Sequence, residues 1–205
     1  MNPLKLKINL ENTPHPISRK LLVSEDVNMY QLHLLIQLSM GWEDCHMWEF
    51  TDARRNGKIK VSEPMGEVFD DQEYLVASEV SLKETFLEKN GTKPVWYWYD
   101  FGDDWWHKLS FQKTNKKDRE IFDGTPVCLE AEGACPPEDC GGPWGYADFL
   151  QTISDPKHEA YEQLREWAGL EKGDTWPTEA PALDLINQEL KEFYQGPGWS
   201  ENSHL

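Results

Sequence analysis

Positive charge is what this sequence has least of: 20 lysine and arginine residues stand against 37 aspartate and glutamate residues, a formal net charge of −17 over 205 residues. A field of that sign repels a phosphate backbone unless the cations gather on one face. The one dense basic segment, Lys113, Lys116, Lys117 and Arg119, is interrupted by Asn115 and Asp118 and reads as a solvated loop after a strand. Nucleic acid is therefore a disfavoured partner. Long apolar runs are also missing. None approaches the roughly 18 residues of a membrane span, and Met1 to Lys7 alternates charge with apolar residues where a secretory signal would be unbroken. No membrane association is expected, and the cytoplasm is the expected compartment. Cysteine is sparse, and in such a compartment Cys45, Cys128, Cys135 and Cys140 read as reduced thiols or metal ligands, not disulfides. The spacing from Cys128 through Cys135 to Cys140 lacks the Cys-x2-Cys knuckle of a zinc site, although Cys45-His46 could add ligands from a distant strand. Thiols filling small core spaces are the simpler account.

Hydrophobic residues make up 39% of the chain and aromatic residues 12%, enough for one well-filled core. The length favours a single domain, taken as residues 1–194, followed by a loose tail over 195–205 that is rich in Gly, Ser and Asn. Leu4, Leu6, Ile8 and Leu10 alternate with Lys5, Lys7 and Asn9 as in a half-buried strand, and Ser18 to Val23 reads as a second. Asn28 and Gln31 have capping-box spacing ahead of a helical stripe of Met29, Leu32, Leu35 and Ile36 that Gly41 stops. Short strands follow at Cys45 to Thr51 and Lys58 to Ser62, while Glu63 to Ala77 is too mixed to assign and Ser81 to Glu88 suggests helical turns. Pro143 opens a helix with Tyr146, Phe149, Leu150 and Ile153 on one side, and further helices are expected over His158 to Trp167 and Asp184 to Tyr194, with Asp184 as N-cap. Strands early and helices late predict an α+β fold: a mainly antiparallel sheet, an alpha-beta roll, with helices covering one face.

Between these regions lies Val95-Trp96-Tyr97-Trp98-Tyr99-Asp100-Phe101-Gly102-Asp103-Asp104-Trp105-Trp106-His107. Gly102-Asp103 suits a two-residue hairpin turn. That turn pairs Phe101 with Asp104 and Trp98 with His107, and gathers Trp96, Trp98, Asp100, Trp105, His107 and Leu109 on one face. Asp100 would then lie diagonal to His107, an arrangement fit for a general base or a metal ligand. Equally, Asp100 could cap the turn and His107 an aromatic cluster. Glu138-Asp139 precede the Gly141-Gly142-Pro143 helix start; if that loop meets Asp103 and Asp104, the carboxylates with His107 could hold Mg²⁺ or Mn²⁺. The glycines could present N–H groups to an anion, but the neighbouring acids oppose a phosphate, so a structural role is preferred.

The aromatic run, together with Cys135-Pro136-Pro137-Glu138-Asp139-Cys140-Gly141-Gly142-Pro143-Trp144-Gly145-Tyr146, resembles the plasmid pRi ORF-three-like family, prokaryotic proteins often labelled transposon passenger or TnpR-type from the position of their genes. Pro16-Ile17-Ser18-Arg19-Lys20 is similar to its Pro-x-Ile-Trp-Arg-Arg strand, Leu32 to Gln37 with Met40-Gly41-Trp42 to its first helix, His46-Met47-Trp48-Glu49-Phe50 to its His-Leu-His-x-Phe strand, and Leu183-Asp184 with Asn187 and Leu190 to its last helix. Ser18 and Lys20 stand where the family has Trp and a second Arg, and Trp48 where it usually has a second His. The resemblance implies a compact α+β roll and a link to mobile elements; it implies no reaction.

Three functional readings follow. The first is a binding or accessory module that meets a partner protein or small ligand through an aromatic and acidic surface including Trp98, Trp105, Trp144 and Tyr146. The second is a divalent-metal-dependent hydrolase using Asp100, Asp103, His107, Glu138 and Asp139, with Asp100, His107, Glu138 and Asp139 as the metal ligands. The third, a DNA transaction of resolvase type, is disfavoured by charge and by the few arginines available around a nucleophile. Asp100-Phe101-Gly102 matches the kinase magnesium motif in letters only, because no glycine-rich loop with a strand lysine accompanies it.

Overall fold

Period-two alternation does what the sequence predicts at the N-terminus: Leu6, Ile8 and Leu10 turn inward along β1 (Pro3–Leu10), which pairs antiparallel with β2 (Ile17–Ser24). The computed structural model describes residues 2–64 and 74–201. Most of the segment left unassigned above, residues 65–73, lies outside that range, as do 202–205 of the tail. The other strands are β3 (Trp48–Thr51), β4 (Lys60–Ser62), β5 (Leu75–Val76), β6 (Val95–Tyr99), β7 (Trp105–Gln112) and β8 (Val127–Glu132). They form one eight-stranded sheet in the order β5-β4-β3-β6-β7-β1-β2-β8, antiparallel at every step but β4 to β5. The fold is α+β.

Helix α1 (Met29–Met40) begins in the expected capping box, with the Gln31 N–H donating to Asn28 Oδ1 at 2.7 Å and the Asn28 N–H to Gln31 Oε1 at 3.2 Å. It ends at Gly41, whose φ of 98° places it in the left-handed region that terminates helices. Met29, Leu32, Leu35 and Ile36 pack with Leu21, Val23, Phe50 and Tyr97 in the core. Asn28→Ala removes the cap and is expected to cost about 1–2 kcal/mol in urea denaturation, whereas a loss below about 0.5 kcal/mol would show that the cap adds nothing.

The remaining helices are α2 (Lys116–Ile121), α3 (Gly142–Ser154), α4 (Tyr161–Trp167), α5 (Leu183–Gln195) and α6 (Pro197–Glu201), with helical turns over Lys83–Leu87 and Glu88–Asn90. Three differ from expectation. The basic segment forms α2, because Asn115 and Asp118 make a second capping box and Asp118 ion-pairs Lys5. The N-cap of α5 is Ala182, with Asp184 inside the first turn, where its charge meets the positive end of the helix dipole. The segment read as a loose tail contains α6, whose Trp199 packs on Phe193 and Tyr194. Among the described residues no helix is long and apolar enough to cross a membrane.

The largest correction concerns the aromatic hairpin. Tyr99 pairs with Trp105, Trp98 with Trp106 and Tyr97 with His107, one step away from the register of a two-residue turn. Asp100 and Asp104 both have positive φ, 52° and 60°, and the Asp104 N–H donates to the Asp100 carbonyl at 2.7 Å. Asp100 Oδ1 also accepts from the N–H groups of Gly102 (2.9 Å) and Asp103 (3.3 Å), which closes a five-residue loop instead. A one-step slip inverts the faces of one strand relative to the other. Val95, Tyr97, Tyr99, Trp105, His107 and Leu109 therefore fill the core, whereas Trp98 stacks between Phe101 and Trp106 outside it.

Candidate functional site

The carboxylates flagged in the hairpin loop and the 135–141 loop do meet. Gly141 donates its N–H to Asp103 Oδ2 at 3.0 Å, and Gly142, at φ +69°, lies so close that a Cβ there would stand 2.1 Å from the Asp103 carbonyl oxygen. Only glycine allows this approach. Asp103 thus clamps the two loops together. With the loops joined, Glu138 reaches inward: its Oε1 accepts from Tyr99 Oη at 2.9 Å and from the Glu43 N–H at 2.8 Å. Burial raises the Glu138 carboxyl above its usual range, and burial together with that carboxylate raises the Tyr99 phenol.

A histidine completes the group, and it is His46, not His107. His46 Nε2 lies 3.4 Å from Asp139 Oδ1, and 3.7 Å from both Asp100 Oδ2 and Glu138 Oε2. Two sets of donor atoms each lie within 4.8 Å of one another: His46, Asp100 and Asp139; and Cys45, His46 and Glu138. A metal ion, if held, would be held there. The Cys45 and Cys135 thiols are raised by burial and that of Cys140 is pushed up to about 12, so all three are protonated near neutral pH, and all four cysteines are free.

His107 is excluded by the register. It is fully buried, its Nε2 accepts from Trp42 Nε1 at 3.3 Å, and burial lowers its pKa to about 3. It is a core residue. Trp105 and Tyr146 are fully buried as well and cannot form a contact surface. Trp98 is half-buried, while Trp144 at the start of α3 is 88% exposed. The strand expected over Cys45 to Thr51 begins only at Trp48, so alternation does not place His46; it precedes β3, where its ring meets Tyr99 edge-on at 5.8 Å.

Beside this group runs a groove of about 760 Å³ between the end of α1, the 134–138 segment and the 176–181 segment, which is fastened by the Ala134 N–H donating to the Thr178 carbonyl at 3.0 Å. Trp167 and Trp176 line it with Pro136, Pro137, Pro177 and Pro181. Glu43, Glu138 and Glu179 supply its charge, and among the described residues no lysine, arginine or histidine lines it.

The family model described as plasmid pRiA4b ORF-3-like protein matches residues 2–183. The chain belongs to that family. Among its relatives is the uncharacterized protein y4hQ of Sinorhizobium fredii (strain NBRC 101917 / NGR234), 35% identical over 166 residues that cover 81% of this chain and 80% of the relative. A crystal structure of a protein of unknown function, MM3350 from Methanosarcina mazei Go1, superposes with a TM-score of 0.71 at 29% identity, covering 89% of this chain and 96% of that one. The Methanosarcina mazei protein shares the fold, and the descriptions of these plasmid pRiA4b ORF-3-like relatives assign no activity. Function has to be argued from the site.

Proposed function

We propose that this protein is a binding module that seats an extended, lysine- or arginine-bearing segment of a partner protein in the groove beside Glu138. One observation carries the reading: two indoles and four prolines form apolar walls while every charged residue of the lining is a glutamate. Indole faces favour alkylammonium and guanidinium groups, and carboxylates at the rim steer and orient them. The net charge of −17 adds long-range attraction for a cationic partner. Among the described residues a phosphate backbone finds no cation in this groove, which argues against the DNA reading.

Fluorescence anisotropy with a labelled lysine- and arginine-rich peptide, and with a glutamate-rich peptide of equal length, tests the proposal. The cationic peptide is expected to bind with an affinity that falls as salt rises. Trp167→Ala removes a half-exposed anchor and is expected to weaken binding about 30-fold, as for interface tryptophans. The paired change Glu43→Gln with Glu179→Gln should lower affinity about tenfold and flatten the salt dependence. Equal binding of the two peptides, or no response to these variants, would overturn the reading.

The hydrolase reading required several acidic side chains to share one centre. Asp100 and Asp139 converge on His46, which stands in place of His107, while Glu138 meets the same imidazole from the side of Cys45. That convergence is the basis of a separate inference.

A further inference from the structure

We infer that His46, Asp100 and Asp139, whose donor atoms all lie within 4.8 Å of one another, form a binding site for a divalent first-row transition-metal ion, zinc or manganese. The inference is independent of the groove and rests on three features of the side chains.

The first is spacing. Ligands about 2.1 Å from a tetrahedrally bound ion stand roughly 3.4 Å from one another. Asp139 Oδ1 and Asp100 Oδ2 lie 3.4 and 3.7 Å from His46 Nε2. These separations are too long for good hydrogen bonds and match ligands around a shared ion. A proton on Nε2 would not explain the arrangement, because it can point at one oxygen only, whereas both face the same nitrogen.

The second feature is an unpartnered nitrogen. His46 Nε2 is shielded from solvent and has no hydrogen-bond partner among the described residues. Buried polar atoms are almost always satisfied, so an orphaned imidazole nitrogen facing the Asp139 and Asp100 oxygens at 3.4 and 3.7 Å points to a species between them.

The third is orientation. Asp100 has one oxygen tied by protein donors and the other turned to His46: its Oδ1 is held by the Gly102 and Asp103 N–H groups, while Oδ2 faces the imidazole. Donors that fix the outer oxygen of a carboxylate and leave the inner one free are the usual support of a metal ligand. Asp139, with a side chain 73% exposed, closes the solvent side, where water can complete the coordination. A donor set of one imidazole with carboxylates suits zinc or manganese better than calcium or magnesium, which prefer oxygen alone.

The test uses the full chain, stripped by chelation and dialysed. Isothermal titration with Zn²⁺ and with Mn²⁺ is run on the wild type, His46→Gln and Asp139→Asn, and Co²⁺ absorption reports the ligand type. One ion per chain is expected, with affinity reduced about 100-fold in both variants and with no sulfur-to-cobalt charge-transfer band. Asp139→Asn changes an exposed side chain outside the groove, so its circular dichroism and peptide binding should match the wild type; this separates failure of the metal site from failure of the groove. Absence of stoichiometric binding, full affinity in either variant, or a thiolate band would overturn the assignment.

Discussion

Arg19→Met is expected to destabilise the protein by about 3–5 kcal/mol, the cost of breaking a buried charged network from one side. Arg19 is wholly buried in β2, and its partners are carbonyl oxygens from three parts of the chain. Its Nε donates to Ser39 O (2.5 Å), Nη1 to Ser18 O (2.8 Å), Glu132 O (3.0 Å) and Gly133 O (3.0 Å), and Nη2 to Met40 O (3.3 Å). Ser39 and Met40 end α1, so the guanidinium sits at the negative pole of that helix dipole and satisfies carbonyls that the helix leaves unpaired. Burial lowers the Arg19 pKa from its ordinary value, yet arginine stays charged at neutral pH. Methionine keeps much of the apolar stem but provides no donor for any of the five carbonyls. Arg19→Lys retains the charge and offers only a point donor, so an intermediate loss is expected. Urea denaturation followed by fluorescence measures both; a loss below about 1 kcal/mol for Arg19→Met would show the network to be dispensable. The consequence reaches the site, because the chain leads from Gly133 straight to Cys135 and Glu138.

What could be read from the sequence divides according to whether a local rule or a long-range contact decides it. β1, β2 and α1 were legible because period-two alternation, the Asn28–Gln31 cap and the Gly41 stop are local signals, and all three hold. β8 was not anticipated: it lies along β2 with a register shift at Lys20/Leu21, and half of its residues are only partly buried, so its apolar pattern is weak. The hairpin strands were legible but their register was not, because Asp100 and Asp104 adopt left-handed conformations that a glycine-centred turn rule does not foresee. That single slip carried His107 to the wrong place. The acidic residues stand out in the sequence as turn carboxylates, but their meeting depends on the Asp103–Gly141 clamp. His46 is not legible because it lies ahead of β3 in irregular backbone, where no periodic pattern shows which way a side chain turns. Of the aromatics named for a contact surface, Trp105 and Tyr146 fill the core, and the groove instead draws on Trp167 and Trp176.

Stability is expected to fall steadily as pH drops below about 6.5, with His107 as the main cause. Burial holds this imidazole at a pKa of about 3, against an ordinary value of 6.5. The folded state therefore keeps it neutral, while the unfolded chain takes up a proton below pH 6.5, and proton uptake by the unfolded state lowers stability with falling pH. The contribution is complete above pH 6.5 and is lost between 6.5 and 3, at up to about 1.4 kcal/mol per pH unit. His33 acts in the same direction: burial lowers its pKa, although its contact with Asp44 opposes the shift. Glu49 and Glu138 act in the opposite one, because burial raises their pKa values and the folded state binds their protons first, offsetting part of the loss at the acidic end. His107→Gln keeps an acceptor for Trp42 Nε1 and removes the titrating group, so its unfolding free energy should start lower than that of the wild type and fall less steeply with acid. Urea titrations at pH 7.5, 6.5 and 5.5 measure the two slopes, and imidazole resonances should show His107 still neutral at pH 5.5. Parallel slopes, or a His107 that titrates in the folded protein near pH 6.5, would place the acid sensitivity elsewhere.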